Sequence, residues 1–378
     1  MDGKKGEFMM AGFVEPGATI GIIGGGVGAY QLARAAKNIG MRVAVLTTRA
    51  DDVALQGADI RIVGTDRAAY ERLAVCSVVT FSDEKIVDAD LLANIFTDQQ
   101  LPSGTDVLSM TQDRYLEKVF MEDLNLNVLP YGQVITAEDI DKVVATVGFP
   151  SVLKPIQKGI GADQQLLLAS DVDVWRARGL LQKRPYILEA WLDNPRELAV
   201  TCVKTEAGLQ VFPVVENQHE RHELTATVAP AQVDGDVVME ILRIAEKISA
   251  RLNYTGVFAI EFFYTDAGGL YIKRLSPGPR PGGDVLRGMT NTTQYNLHLR
   301  AILGWPIPNV KVNGEAVLLP IRQQQQGAIN TQIQIKPDWR WQFFPAGSNP
   351  VGEVIVPGPL KTTIPAIAAT DAFNMQSK

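Results

Sequence analysis

Apolar residues first gather over Thr19 to Ile23, a run too short for a helix, and it ends in Gly24-Gly25-Gly26. From Ala29 to Ile39 they recur with helical spacing, and Gly40 supplies a stop. Met41 to Leu46 is a second β-rich run. Strand, glycine turn, helix and strand in that order predict a βαβ unit, hence a parallel sheet at the N-terminal end. Further short αβ units are expected to about residue 108.

Residues 111–124 carry amphipathic helical spacing, with Tyr115, Val119 and Leu124 among the apolar positions. Segments 148–155, 164–168 and 185–192 read as strands of a small mixed domain. Asp236 is expected to cap a helix whose Val237, Ile241, Ile244, Ile248 and Leu252 share one face. A hairpin follows: Val257 to Thr265, a turn at Asp266–Gly269, then Leu270 to Leu275. Gly304-Trp305-Pro306 ends another helix, Gln323–Gln326 reads as a surface turn, and 311–378 reads as a small β-rich cap. The class this pattern predicts is α/β combined with α+β.

Length turns these elements into several packed units, because 378 residues exceed what one core normally organises. A net charge of −6 argues against a general nucleic-acid binder, yet it leaves room for a small anion in a local pocket. The two cysteines, Cys76 and Cys202, offer neither a disulfide framework nor a zinc cluster, so a reducing cytoplasm is expected. No apolar stretch approaches the roughly 20 residues of a membrane span. Residues 1–18 read as a flexible tail.

Three features carry chemistry. Gly24-x-Gly26-x-x-Ala29 fits the dinucleotide fingerprint, in which glycines let backbone amides approach a phosphate. Thr47-Thr48-Arg49 stands where NAD would need an acidic residue, leaving NADP through Arg49, or a tight turn with no ligand, as open readings. Lys154 sits inside the apolar strand Ser151-Val152-Leu153-Lys154, so it either snorkels to solvent or points at a phosphate. Glu261 interrupts the strand Val257 to Phe263, and a carboxylate there needs a cation.

Gln112-Asp113-Arg114 through Lys118, Val152-Leu153-Lys154, Ile187 to Val200, Pro213 to His219, Ala229-Pro230 and His298 to Pro306 add a resemblance. In order and spacing, the chain from about residue 19 to 310 resembles the ATP-grasp fold, specifically the carboxyaminoimidazole ribonucleotide synthase family. That resemblance implies a Rossmann-like domain over 19–109, a small ATP-grasp lid over 110–185, a large ATP-grasp domain over 186–310 and the β-rich domain over 311–378. It implies ATP and Mg2+ as cofactors, with bicarbonate and aminoimidazole ribonucleotide as small-molecule substrates, in purine biosynthesis. A homodimer is compatible with it; nucleic acid and membrane are not expected.

Carried onto this chain, the resemblance places Arg114, Lys154 and Lys158 at the ATP phosphates, with Lys273 and Arg274 beside them. The backbone of Glu189, Ala190, Trp191 and Leu192 would read adenine, Glu197 would hold the ribose, and His219 would line the cleft. Gly25, Gly26 and Val27 would receive the acceptor, Lys154 and Arg280 would be catalytic, and Glu261 would be the first metal carboxylate. His298 is expected to be structural.

Several family features are replaced. Lys273-Arg274 stands where an Asn-Glu pair would grip magnesium, which implies that the second metal site is lost. Pro277 to Asp284 replaces a stretch rich in Arg, His, Asn and Ser, Asp163 stands where the glycine loop carries a positive charge, and Val27 replaces a glutamine. The carboxy-terminal Gly-His ending is not evident. If Asp266–Gly269 form the turn, Glu261 faces Arg274, and an ion pair is expected at the metal position. Two outcomes follow: an active ligase of this family, or a catalytically impaired nucleotide-binding relative with a sensor or partner role. An NADP oxidoreductase gives the downstream landmarks no role.

Overall fold

The computed structural model describes residues 12–373, apart from 83, 85, 86, 160–164, 182, 183 and 222. Asp163 and its neighbours in the glycine loop therefore lie outside the described residues. The chain divides into two compact units. The first comprises Met1–Val107, Leu198–Ala259 and Ser276–Lys378, and the second Leu108–Glu197 and Ile260–Leu275.

The first unit opens with the expected parallel sheet. Strands β1 (Thr19–Ile23), β2 (Arg42–Thr47), β3 (Ile60–Val63) and β4 (Val78–Phe81) pair in the order β3-β2-β1-β4. The helix Val27–Asn38 follows the glycine turn and buries Ala29, Leu32, Ala33 and Ala36, one face at helical spacing. That face packs with Ile20, Ile22 and Val45 of the sheet and with Leu299 and Ile302 of the helix Gln294–Ile302. Gly24 adopts φ +154, and an added Cβ would collide with the Ser82 hydroxyl.

The second unit holds an antiparallel sheet of β5 (Tyr131–Val134), β6 (Ser151–Pro155), β7 (Leu166–Leu168) and β8 (Tyr186–Ala190), ordered β5-β8-β6-β7. Ile140, Leu153, Val174, Tyr186 and Leu188 form its core. The single helix expected over 111–124 is interrupted at Asp113. The Asp113 carboxylate accepts the amides of Tyr115 and Leu116, ending the helix Asp106–Gln112 and starting the helix Arg114–Asp123.

The remaining strands are β9 (Arg196–Thr205), β10 (Gly208–Val211), β11 (Val215–Glu220), β12 (Glu223–Ala229), β13 (Gly256–Tyr264), β14 (Leu270–Pro277), β15 (Ala316–Ile321), β16 (Arg340–Phe343) and β17 (Gly352–Pro357). Within the first unit β11, β12, β15, β17 and β16 neighbour one another in that order, and β10 pairs with β9. The strands after residue 311 thus extend a sheet begun much earlier, with the helix Gln326–Ile335 between β15 and β16 and the helix Leu360–Ala368 after β17. In the second unit, β13 and β14 continue as the predicted hairpin, closed by the Thr265 amide on the Gly269 carbonyl.

Asp236 does not cap its helix. The helix spans Gly235–Arg251 with Asp234 at the cap position, and Asp236 lies in the first turn, where a carboxylate still favours the exposed amides. Gln323–Gln325 is a short 3-10 turn that leads straight into the next helix. Among the described residues no helix is long and apolar enough to cross a membrane.

Candidate functional site

A dense cluster of charge lies in the second unit and grows from the Asp113 cap. The helix it starts places Arg114, Glu117, Lys118 and Met121 on one face, with the last three buried. Arg114 donates from Nη1 to the Pro155 carbonyl at 2.7 Å. Burial lowers its pKa, against the pull of Glu189 and Glu117.

Glu189 is the centre of the cluster. Its carboxylate meets Lys118 at 2.8 Å through Oε1 and Lys154 at 2.6 Å through Oε2. The sheet register explains the second contact: Val152 faces Glu189, so Lys154 is its diagonal neighbour on the same face. Burial acts most strongly on this carboxyl and would raise its pKa, but the two lysines together outweigh it and hold Glu189 ionised. Lys154 therefore neither snorkels freely nor stands alone.

A second tier repeats the logic. Glu117 accepts the Leu275 amide at 2.6 Å on Oε1 and meets the buried Lys158 at 2.7 Å on Oε2. Lys273 pairs with Glu197 at 2.6 Å and lies 3.4 Å from Glu261 Oε2. Arg274 grips Glu261 Oε1 from both Nε (2.7 Å) and Nη2 (2.6 Å). The Arg274–Glu261 pair expected from the hairpin is thus present, and Lys273 covers the other oxygen.

Where β8 ends, the amides of Ala190 and Trp191 donate to the carbonyls of Pro130 and Pro150. Glu117 and Lys118 were not expected as site residues, although helical spacing from Arg114 was a usable signal.

The first unit holds the other expected residues. Gly26 precedes the helix Val27–Asn38 with no side-chain cap, and Gly25 has no room for a Cβ beside Thr47 and Asp52, which hydrogen-bond each other. Arg49 is exposed and paired with Asp51 at 2.6 Å. His219 is half-buried next to a β-bulge between Gln218 and His219. Arg280 forms an ion pair with the buried Glu84, and its backbone exchanges hydrogen bonds with the Gln294 amide group. His298 is structural: its Nδ1 accepts the Val257 amide at 3.1 Å, and its Nε2 lies 2.8 Å from the Thr80 hydroxyl. Burial lowers its pKa to about 4.

A second buried cluster in the first unit was not anticipated. Asp284 accepts from Gln31 (2.9 Å), Gln294 (2.8 Å) and Tyr295 (3.1 Å). Glu353 pairs with Arg287. Burial raises Asp284 to about 6 and, with Asp284 as a like charge, raises Glu353 to about 8. A cavity of about 140 Å³ beside them is lined by Gln31, Arg34, Asn38, Arg287 and Gln342, among others. A larger cleft of about 600 Å³, next to Ile135 and Trp175, contains none of the residues of the basic cluster.

The ATP-grasp domain family matches residues 119–295. Among curated proteins, the N5-carboxyaminoimidazole ribonucleotide synthase of Bacillus subtilis (strain 168) is 33% identical over 298 residues, 78% of each chain. That of Staphylococcus saprophyticus is 28% identical over 333 residues, covering 87% of this chain and 88% of the relative. A solved ADP complex of N5-carboxyaminoimidazole ribonucleotide synthetase superimposes with a TM-score of 0.86 at 30% identity, covering 94% of this chain and 97% of that one. The Staphylococcus aureus N5-carboxyaminoimidazole synthetase complexed with ADP gives 0.87 at 25% identity, covering 95% and 98%.

Proposed function

The chain belongs to the N5-carboxyaminoimidazole ribonucleotide synthase family, and on that premise we propose that it binds ATP in its second unit and carries out the ATP- and bicarbonate-dependent carboxylation of aminoimidazole ribonucleotide. The observation that carries this reading is one cluster within the second unit, where six basic side chains gather around four glutamates. Lys118, Lys154, Lys158, Lys273 and Arg274 pair with Glu117, Glu189, Glu197 and Glu261, and Arg114 donates to the Pro155 carbonyl beside them. Phosphoryl transfer needs cations already aimed at the spreading charge, and a network locked by carboxylates supplies them without reorganisation.

In this reading Arg114 and Lys154 take the phosphates, and Lys158 braces Glu117 behind them. Glu197 holds the ribose, and the backbone of Glu189 to Leu192 meets adenine. In the first unit, Gly25, Gly26 and Val27 offer amides to the acceptor, and Arg280, oriented by Glu84, serves the carboxylation step. The reaction belongs in the cytoplasm.

Magnesium, which the resemblance implies, does not fit the donors around Glu261. Both its oxygens face cations, and among the described residues no group of three His, Cys, Asp or Glu side chains could hold a metal. The alternative weighed from the sequence, a nucleotide-binding relative with little turnover, finds no support among the relatives, which are named as synthases. Phosphate release from ATP and bicarbonate, with and without aminoimidazole ribonucleotide at saturating magnesium, separates the two. Release stimulated by the ribonucleotide is expected for the ligase. No release from a protein that ADP still stabilises against heat would overturn it in favour of the second.

A further inference from the structure

Four carboxylates make up the acidic part of the cluster in the second unit, and each is already met by a basic side chain. Glu189 is shared by Lys118 and Lys154, and Glu117 meets Lys158. Glu197 meets Lys273, and Glu261 meets both Lys273 and Arg274. A divalent ion approaching Glu261, which is 8% exposed, would have to displace a guanidinium that holds one oxygen through two nitrogens. That exchange sets the cost of dehydrating the ion against a charge-assisted pair already made.

An arriving anion meets the opposite situation. In this cluster the basic side chains outnumber the glutamates, and three of them remain reachable: Arg274 is 38%, Lys154 24% and Lys273 23% exposed. None needs to leave its glutamate to donate to phosphate oxygens, because an ammonium has three N–H donors and a guanidinium five. A guanidinium also keeps its charge at any physiological pH.

Resting on the nucleotide reading above, we propose that this chain neutralises the polyphosphate of its nucleotide with side-chain cations, and that Arg274 with Lys273 does so in place of a divalent ion at Glu261. Nucleotide affinity is then independent of magnesium. The glutamates serve as positioning residues, since they hold the cations in register and touch no phosphate.

The test is calorimetric titration of the whole chain with ADP, once in excess magnesium and once in EDTA. Dissociation constants within about threefold of each other are expected, less than about 1 kcal/mol. A loss of more than about tenfold in EDTA would overturn the inference while leaving the nucleotide reading intact. Absence of binding in both buffers would remove the nucleotide reading itself and this inference with it. Arg274→Glu sharpens the result by setting two carboxylates side by side. This variant is expected to bind ADP only with magnesium, and to bind Mn2+ alone, read by electron paramagnetic resonance, where the parent does not. Mn2+ binding by the parent chain without nucleotide would contradict the proposal. Should Arg274→Glu not fold, Arg274→Gln provides the same comparison, with a larger loss of ADP affinity in EDTA than in magnesium. Equal losses in the two buffers would count against the proposal.

Discussion

The basic cluster around Glu189 and the carboxyl cluster around Asp284 use the same residue types and carry opposite excesses. In the second unit Glu189 shares two lysines and stays ionised although it is fully buried. In the first unit Asp284 and Glu353 share one guanidinium, Arg287, and the balance of hydrogen bonds comes from the neutral side chains Gln31, Gln294 and Tyr295. Burial therefore wins over attraction in one cluster and loses in the other. What decides between them is the number of cations within reach of each carboxylate, since the depth of burial is similar. A cluster with spare cations can receive an anionic ligand. One with spare carboxyls holds protons and serves packing.

The sharpest way to break the comparison is Glu189→Gln, which strips the carboxylate from between two lysines and leaves Lys118 buried. The expected loss is about 3–5 kcal/mol in urea unfolding at pH 7; a loss below about 1 kcal/mol would show that the cluster is not coupled to stability.

The two clusters also predict opposite pH arms. The Glu189 pKa lies below its ordinary 4.5, so its stabilisation is complete above that value and fades as the pH falls. Asp284 and Glu353 lie above their ordinary 3.8 and 4.5, so their contribution is complete below those values and is lost as the pH rises through about 6 and about 8. Glu353→Gln should flatten the alkaline arm by up to about 1.4 kcal/mol per pH unit while sparing the acid arm. An unchanged alkaline slope would mean that Glu353 titrates normally.

His298→Leu tests a group with an acid arm in the first unit. It leaves the Val257 amide without its acceptor, an expected cost of about 1–3 kcal/mol at pH 7. It also removes the stability loss that runs from 6.5 down to about 4, where only the unfolded histidine takes a proton; a pH profile parallel to the parent's would refute the buried neutral imidazole. The smallest effect is expected for Arg49→Ala. Its exposed pair with Asp51 lies in neither cluster, so thermal stability and ADP affinity should both stay unchanged within error.

Local rules carried the sequence a long way. The glycine turn with its helical spacing announced the parallel sheet, and the turn at Asp266–Gly269 brought Glu261 to Arg274, because a hairpin's pairing follows from its turn. The apolar strand around Lys154 marked it as a residue in need of a partner. Boundaries were less legible: an Asp at 113 restarted a helix, and the cap expected of Asp236 fell to the position of Asp234. Which lysine meets which glutamate was beyond local rules. Lys118 with Glu189, Lys158 with Glu117, Lys273 with Glu197, and the ring of Gln31, Gln294 and Tyr295 around Asp284 join segments far apart in the chain. A charged side chain on a helix reads the same whether it faces water or a buried carboxylate, and only the packing of distant elements removes the water. The sequence by itself determined the elements, the family and the Lys273-Arg274 pair that stands opposite Glu261. The tertiary structure decided how those charges pair, because pairing depends on distances of a few ångströms between residues that the chain order does not bring together.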